Sequence, residues 1–413
     1  MMKKFILSLF VFSACSFASV IGLDALGEEQ IAGGMASTAG RGYAGGAKTG
    51  DAEGLSVMNP ARNAFDTKVV FNVNFLLEMV DLQDHGNDFG VNNITMPSFN
   101  LSFPMGGFGA MGVALWQSYS SYVDEEVSGK QNSIETSVEY QSSVYEIVPS
   151  YTLRLPIIRN FSIGASAHVV MGNSTRKISM GPNTAELSST DKWAAGNTEI
   201  SDYVDGTWEI KNHPAYYTAA LQYRGHQASF YFSYTTPHTL LNKLDYNFRM
   251  SELDTLAPTK YSREVEVPAM LATGMNFRFM KRNNVMLDVA SRGWDKDIEN
   301  IGGSFNMEPV TETQKDLLVA VGFQRDGSPL FYDPYLDRMT YRLGGWYKTW
   351  YVKDVYELGG SLGAGFPLGR KGTLLDLSFQ GGKRFADSGR AWDEIFLGFR
   401  IGLMGVGNWG QTH

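Results

Sequence analysis

The chain has 413 residues, with 43 acidic against 35 basic side chains and a formal net charge of −8. This balance argues against a nucleic-acid-binding protein, which needs a basic face, and a single cysteine excludes an intramolecular disulfide framework. Charged residues make up only 19 % and aromatic residues 13 %, yet the mean hydropathy is −0.18. A β-barrel in a membrane reconciles these values, because alternation places its lipid-facing residues among polar ones.

The first residues predict an export signal. Lys3 and Lys4 precede the apolar run 5–12, and residues 16–18 offer a small-x-small cleavage site. The run is too short to span a bilayer as a helix, so residues 1–18 are predicted to be a removed signal peptide. The stretch 12–15 resembles a lipoprotein processing site, which leaves lipidation of Cys15 as an alternative.

Residues 19–67 are rich in glycine and small side chains and carry no long alternation. Glycine permits tight packing, Asn-Pro favours a turn, and small residues let a segment fold inside a confined lumen, so this region is predicted to be a lumenal plug. Composition alone equally permits a flexible periplasmic linker, and the second motif is also an ordinary turn entering a strand. The two motifs of the segment are Gly40, Arg41 and Gly42, and Asn59, Pro60 and Ala61.

Beyond residue 66, apolar and polar residues alternate at period two in one segment after another. The pattern predicts an all-β fold, a transmembrane antiparallel barrel of about fourteen strands over residues 68–403 with a tail at 404–413. A hairpin at Pro237 would instead give fifteen strands, and a large soluble β-sandwich or propeller is the other interpretation. The segments are 69–75, 99–103, 111–115, 145–155, 161–169, 214–224, 227–250, 266–280, 283–294, 316–325, 338–350, 356–367, 373–385 and 393–403.

An even strand number places both chain ends on the periplasmic side. Short links are then periplasmic and long links external, as in outer-membrane barrels. Two links fit this sorting poorly: 326–337 is long for a periplasmic turn, and 351–355 is short for an external loop. The short links lie near 104–108, 156–160, 225–226, 281–282 and 368–372, and the long ones at 81–93, 120–136, 172–213, 251–265 and 295–315.

Enzyme-like patterns do not lie in the context that their chemistry needs. Residues 359–363 match a nucleophile-elbow pattern but fall inside an alternating strand, and residues 405–410 match a dinucleotide fingerprint without a following helix. The six histidines show no metal-ligand spacing. We therefore expect no enzyme activity, no metal and no cofactor.

Three side chains are predicted to line the lumen. His168 has the inward phase of its strand, and His238 stands beside the Pro237 bend. Arg400 is placed inside because an arginine on the lipid face costs a few kcal/mol near the midplane (about 2–4 kcal/mol). The acidic stretches 84–88 and 124–126 fall in predicted external loops, as solvated faces or as divalent-ion bridges to lipopolysaccharide.

Three parts of the plug region, residues 40–45, 51–52 and 59–61, match in order and spacing the N-terminus of a known family. The sequence resembles the FadL/TodX family of outer-membrane hydrophobic-compound channels, and residues 232–238 and 267–274 resemble later strands of that family. Residues 404–413 depart from the pattern, because they overrun the final strand. PorV-like relatives share such N-termini.

The resemblance implies a fourteen-stranded barrel whose N-terminal hatch blocks the lumen, with the two motifs holding the hatch. It implies the bacterial outer membrane as location, long-chain fatty acids or other hydrophobic molecules as ligand, and exit sideways or past the hatch. Expected partners are outer-membrane lipid and lipopolysaccharide, with no nucleic acid, and the protein is expected to be a monomer. The alternative is a non-transporting barrel for docking or secretion, with the loops 172–213 and 295–315 as its working surface.

Overall fold

Long antiparallel strands dominate the chain after residue 66, as its period-two alternation requires. The computed structural model describes residues 27–31, 33–50, 53–84, 87–129, 134–182, 202–250, 253–294, 312–369, 372–386 and 392–408. Within these ranges, no helix is long and apolar enough to cross a membrane.

Fourteen strands follow one another around the barrel, and three of them consist of two segments. They are β1 (Val69–Asp84), β2 (Asn87–Pro104), β3 (Ala110–Gly129), β4 (Ile134–Arg154), β5 (Phe161–Pro182), β6 (Asp202–Ile210 and Ala215–Arg224), β7 (Ala228–Thr235 and His238–Met250), β8 (Leu253–Val267 and Met270–Phe279), β9 (Asn283–Arg292), β10 (Asp316–Arg325), β11 (Thr340–Thr349), β12 (Val355–Leu368), β13 (Thr373–Ala386) and β14 (Trp392–Gly407).

The sheet closes on itself. Strand β14 pairs antiparallel with β1 along its whole length, from Gly407 opposite Val69 to Trp392 opposite Asp84. The two parts of β7 run alongside β6 and β8 on both sides of Pro237, so this proline interrupts a strand and does not form a hairpin. The predicted closed barrel of fourteen strands is confirmed.

Strand β1 begins and β14 ends at the same mouth of the barrel, which we call the proximal end; the opposite mouth is the distal end. Strand β14 reaches Gly407 and so includes the first residues of the predicted tail. The long proximal link between β10 and β11 contains a short helix, Tyr335–Arg338.

Three predicted external loops are wrong as loops. Strands β1 and β2 extend through most of 81–93, β3 and β4 through most of 120–136, and β8 begins at Leu253 inside 251–265. Antiparallel pairing continues there through backbone hydrogen bonds, which leave no trace in a sequence that is polar on both faces. The predicted loop 172–213 is likewise strand over 172–182 and 202–210, while residues 183–201 and 295–311 of the predicted loops lie outside the described part of the chain.

The barrel wall has two chemically distinct faces. On β1, Glu78 is 5 % exposed while its neighbour Met79 is 61 % exposed, and on β12, Ser361 is 5 % exposed while Leu362 is 59 % exposed. The exposed outer face is thus apolar and the buried inner face polar, which is the arrangement of a barrel surrounded by lipid.

Candidate functional site

The first described residues fill the barrel lumen. We call residues 27–66 the N-terminal segment, and no described residue in it is exposed. Its strand Glu28–Glu29 pairs with β3, a helix follows at Ala36–Ala39, and a 3-10 turn at Arg62–Phe65 leads to the wall. The segment therefore contacts the inner face of the barrel from its first described residues to its last.

The first predicted motif lies against β10 to β12. Arg41 Nη1 donates to Gln324 Oε1 at 2.8 Å, and the Gly42 backbone N–H donates to Ser361 Oγ at 2.9 Å. A Cβ atom at Gly344 would lie 2.0 Å from the Arg41 carbonyl carbon, so the absence of a side chain there permits the close approach. Ser361, the serine of the enzyme-like pattern, lies within β12 and binds the N-terminal segment.

Gly40 belongs to the same contact. A Cβ atom on Gly40 would lie 3.0 Å from the Cα of Gly363 on β12, so the two backbones touch. The whole predicted motif, from residue 40 to residue 42, is therefore pressed against the wall.

The second predicted motif lies against β5 and β6. Asn59 Nδ2 donates to Gln222 Oε1 at 2.7 Å and to the Gly46 carbonyl at 2.8 Å, while Asn59 Oδ1 accepts from the Ala61 N–H at 3.1 Å. A Cβ atom at Gly164 would lie 2.4 Å from the Pro60 carbonyl carbon and from the Ala61 nitrogen. Each motif therefore rests on a glycine of the wall, on different sides of the lumen.

Asp288 on β9 receives two backbone donors from the N-terminal segment. Its carboxylate accepts from the Gly45 N–H at 2.5 Å and from the Gly46 N–H at 3.2 Å. No sequence pattern assigns Asp288 this contact, because its two partners are more than 240 positions away along the chain.

Buried ion pairs hold the start of the N-terminal segment. Arg384 on β13 lies 2.9 Å from Glu28, 3.0 Å from Glu357 and 3.2 Å from Glu394. Arg292 on β9 lies 3.0 Å from Glu29. Buried charges require partners of opposite sign, so the two glutamates of the segment and the two arginines of the wall depend on one another. Sequence reasoning did not find these pairs.

A further ion cluster lies within the N-terminal segment. Glu53 contacts Arg41 at 2.8 Å and Lys48 at 2.5 Å. Burial alone would raise the pKa of Glu53, but the Arg41 and Lys48 cations hold this pKa well below its usual range. The carboxylate therefore stays ionised and links residues near both motifs.

Two small cavities lie beside the described part of the segment, at the level of Glu28 and His168. A cavity lined by Glu28, Tyr43 and Trp346 holds about 20 Å³, and one lined by Ile31, His168 and Tyr216 holds about 10 Å³. Ligand pockets hold roughly 300–1,000 Å³, so these two spaces admit a water molecule at most. At this level the lumen is filled.

The structure brings two of the three predicted lumen residues together. His168 Nδ1 lies 2.9 Å from Glu146 Oε2, and the Tyr216 ring stacks against His168 at 4.4 Å and His238 at 4.0 Å. Arg400 lies apart from them, 1 % exposed, with its guanidinium 3.3 Å from the Tyr43 hydroxyl. It contacts the N-terminal segment next to the first motif.

An apolar, aromatic layer crosses the lumen on the distal side of the segment. Trp294 and Tyr351 pack with ring centroids 5.0 Å apart, Tyr119 approaches Tyr351 at 6.3 Å, and the Tyr351 hydroxyl donates to the Gly27 carbonyl at 2.7 Å. We call this layer the distal apolar cluster: Tyr119, Val144, Val170, Ile210, Tyr216, Leu240, Val265, Val267, Trp294, Trp350, Tyr351, Val352 and Val355.

Three adjacent strands are interrupted at the same height. Strand β6 breaks at 211–214, β7 at 236–237 and β8 at 268–269, and each gap contains a proline: Pro214, Pro237 and Pro268. Proline donates no backbone hydrogen bond, so the ladder between the strands is weakened at these positions. We call this region the wall break. The sequence predicts the bend at Pro237, whereas the alignment of all three gaps comes from strand register.

The wall break borders directly on the distal apolar cluster. Ile210 and Leu240 flank the gaps of β6 and β7, and Val267 precedes the gap of β8. The Asn212 side chain replaces part of the backbone hydrogen bonding between β6 and β7. It donates to the Thr239 carbonyl at 2.8 Å and accepts from the Leu241 N–H at 3.1 Å. One backbone bond remains beside it, from the Lys211 N–H to the Leu241 carbonyl at 3.0 Å, so a side chain and a single ladder bond together close the wall between β6 and β7 at its apolar level.

Solved structures share this fold. A FadL homologue of Pseudomonas aeruginosa aligns with a TM-score of 0.62 and 14 % identity over 96 % of this chain and 100 % of its own. The toluene transporters TodX of Pseudomonas putida and TbuX of Ralstonia pickettii align with TM-scores of 0.60 and 0.56, each at 14 % identity, over 93 % and 91 % of this chain and 100 % and 98 % of their own. At this identity the likeness establishes the fold, and the predicted resemblance to FadL/TodX barrels is confirmed at that level.

Sequence comparison gives the family. A comparison with curated proteins finds no match. The family model described as BamG matches residues 1–412, which is nearly the whole chain. The filled fourteen-stranded barrel described above therefore belongs to the BamG family.

Proposed function

We propose that this protein is an outer-membrane barrel that passes hydrophobic molecules, long-chain fatty acids among them, between the surrounding lipid and its lumen. The observation that carries the proposal is the wall break beside the distal apolar cluster. An apolar solute gains about 0.8 kcal/mol for each methylene it buries. A weakened wall lined by valine, leucine and aromatic side chains offers such a solute a route that stays dry.

In this proposal the N-terminal segment is the hatch. Gly40, Arg41 and Gly42 hold it to one side of the barrel, and Asn59, Pro60 and Ala61 to the other. Because the lumen is filled at this level, the solute moves sideways through the wall break while the segment keeps water and ions from crossing. The apolar outer face supports the outer membrane as the location, with the barrel acting as a monomer among lipid and lipopolysaccharide.

The proposal is tested by restoring backbone hydrogen bonding at the wall break. Replacing Pro237→Val and Pro268→Val together returns two backbone donors to β7 and β8, and uptake of labelled fatty acid and labelled toluene should fall to the level of cells that lack the gene. Pro149→Val is the matched control, because Pro149 lies on the outer face of the uninterrupted strand β4. Heat-dependent gel mobility verifies that each barrel folds. Undiminished uptake by the double variant would contradict the proposal.

A second function has its own supporting observation. The buried ion pairs of Arg384 and Arg292 seal the lumen, which suits a non-transporting barrel that docks partners for secretion through its external loops. Deleting residues 183–201 or 295–311, which fall within the predicted external loops 172–213 and 295–315, would then abolish partner capture by the folded barrel. Mass spectrometry of gently purified protein separates the two: bound apolar molecules favour transport, and their absence together with unchanged uptake on gene loss favours docking.

A further inference from the structure

A cavity of about 850 Å³ lies at the proximal end, beneath the N-terminal segment. Its roof includes Lys48 and Glu53 of that segment, and its walls come from the β10–β11 link, the β12–β13 turn and the end of β14. Its size falls within the roughly 300–1,000 Å³ of ligand pockets. It is therefore unlike the two small spaces beside Glu28 and His168.

The cavity carries uncompensated positive charge. Two of its basic residues are neutralised: Lys48 by Glu53 and Asp326, and Arg342 by Asp376 at 2.5 Å. Three basic residues that line the cavity form no ion pair with another residue in the described part of the chain: Lys68, Arg278 and Arg338. Because the basic side chains of the lining outnumber Glu53 and Asp326, the recess carries a positive potential that attracts anions, although the whole chain is acidic.

The Arg338 guanidinium is positioned by aromatic side chains at the cavity. It lies over two aromatic rings, 5.5 Å from the centroid of Phe331 and 5.2 Å from that of Tyr335. This stacking fixes the plane of the group and leaves its edge available for bidentate hydrogen bonds. The buried Nε atom donates to no described acceptor, and a buried donor without a partner is unfavourable.

The cavity also has an apolar wall, formed by Pro329, Phe331, Pro367, Leu374 and Val406. We propose that it binds an anionic amphiphile, whose phosphate or carboxylate group meets Lys68, Arg278 and Arg338 while its apolar chain lies along this wall. Since Lys48 and Glu53 form the roof, the bound molecule would touch the N-terminal segment. The inference is independent of hydrophobic transport and applies equally to a docking barrel.

Calorimetric titration of the full-length mature chain in neutral detergent tests this site. Octyl phosphate should bind to one saturable site. Octanol, which lacks the anionic group, and inorganic phosphate, which lacks the apolar chain, should each bind on the order of ten-fold more weakly. No saturable binding of octyl phosphate, or equal binding of octanol, would overturn the proposal. Equal binding of inorganic phosphate would overturn the apolar part.

Variants locate the binding. Arg338→Gln should weaken octyl phosphate binding on the order of ten-fold, and Arg338→Lys should restore only part of it, because lysine does not bind bidentately. Lys281→Gln is the control, since Lys281 is exposed on the neighbouring β8–β9 turn and does not line the cavity. Equal weakening by Lys281→Gln would show a diffuse charge effect and refute the site.

Native mass spectrometry identifies the source of the ligand. A phospholipid retained by the wild type and lost in Arg338→Gln assigns the site to a lipid headgroup. Binding of octyl phosphate without retained phospholipid assigns it to a soluble amphiphile. Failure of hydrophobic transport would change neither readout, so the two proposals stand or fall separately.

Discussion

The two parts of the N-terminal segment are held by different chemistry. Residues 27–50 meet charged groups of the wall, with Glu28 on Arg384 and the Gly45 N–H on Asp288. Residues 53–65 meet the wall through hydrogen bonds and cation–π contacts: Asn59 binds Gln222, the Ala61 carbonyl accepts from Ser162 Oγ at 3.0 Å, and Arg154 donates to the Ala64 carbonyl at 2.6 Å and lies over the Phe65 ring.

The difference indicates which part can move. Breaking a buried ion pair by removing one partner costs about 3–5 kcal/mol, whereas a neutral hydrogen bond contributes about 0.5–1.5 kcal/mol. Residues 27–50 are therefore held mainly by the ion pairs with β9 and β13, and residues 54–65 can separate from β2–β6 at a smaller cost, while Glu53 stays paired with Arg41 and Lys48. If a hatch opens in this barrel, the second part opens first.

The largest effect is expected from Arg384→Met. This change leaves Glu28, Glu357 and Glu394 without their common cation, so the free energy of unfolding in detergent should fall by about 3–5 kcal/mol. Urea titration measures it. Lys383→Met is the control, because Lys383 is the next residue, 38 % exposed on the other face. Similar losses in both variants would show that the ion cluster does not fix the first part.

Two glycine substitutions compare the parts directly. A Cβ atom at Gly344 would strike residue 41 and one at Gly164 would strike residues 60–61, and overpacking costs about 1–3 kcal/mol. Gly344→Ala should lower the free energy of unfolding without releasing the N-terminal segment. Gly164→Ala should release residues 54–65, so a thiol reagent should label a cysteine introduced by Val57→Cys faster.

Gly345→Ala is the control for both, because its Cβ would meet only the Gly359 carbonyl oxygen at 3.4 Å. Faster labelling of Val57→Cys in the Gly344→Ala background than in the Gly164→Ala background would reverse the order of opening.

Asn59→Ala should have a smaller effect. It removes the amide that joins the Gly46 carbonyl to Gln222, at a cost of about 1 kcal/mol. Hydrogen exchange of residues 53–65 should quicken while that of residues 36–46 stays constant. Equal acceleration in both ranges would mean that the segment moves as one unit.

The smallest effect on the free energy of unfolding is expected from mild acid, acting through Glu53. The pKa of Glu53 is depressed in the folded state, so its stabilisation is present above the unfolded value of about 4.3 and is lost as pH falls below it. The difference in unfolding free energy between wild type and Glu53→Gln should be constant from pH 7 to pH 5 and shrink below pH 4. A decline already between pH 7 and pH 5 would contradict the assigned ion cluster.

The sequence was sufficient for the barrel because each strand keeps one apolar face. It was insufficient for the distal hairpins, whose strands are polar on both faces, and for the alignment of Pro214 and Pro268 with Pro237, which depends on register. Residues of the two motifs were singled out by composition and resemblance. Their partners on the wall, Gln324, Ser361 and Gln222, were not assigned from the sequence, because a contact across the lumen leaves no local pattern.

The bond between Glu28 and Arg384 has a consequence for biogenesis. It joins residues 356 positions apart, and such non-local contacts form slowly because a long loop must first close. Glu28, at the start of the N-terminal segment, thus finds its partner only after β13 is in place. Until then the Glu28 carboxylate lacks its counter-ion and stays in water, so the start of the N-terminal segment takes its buried place late in folding.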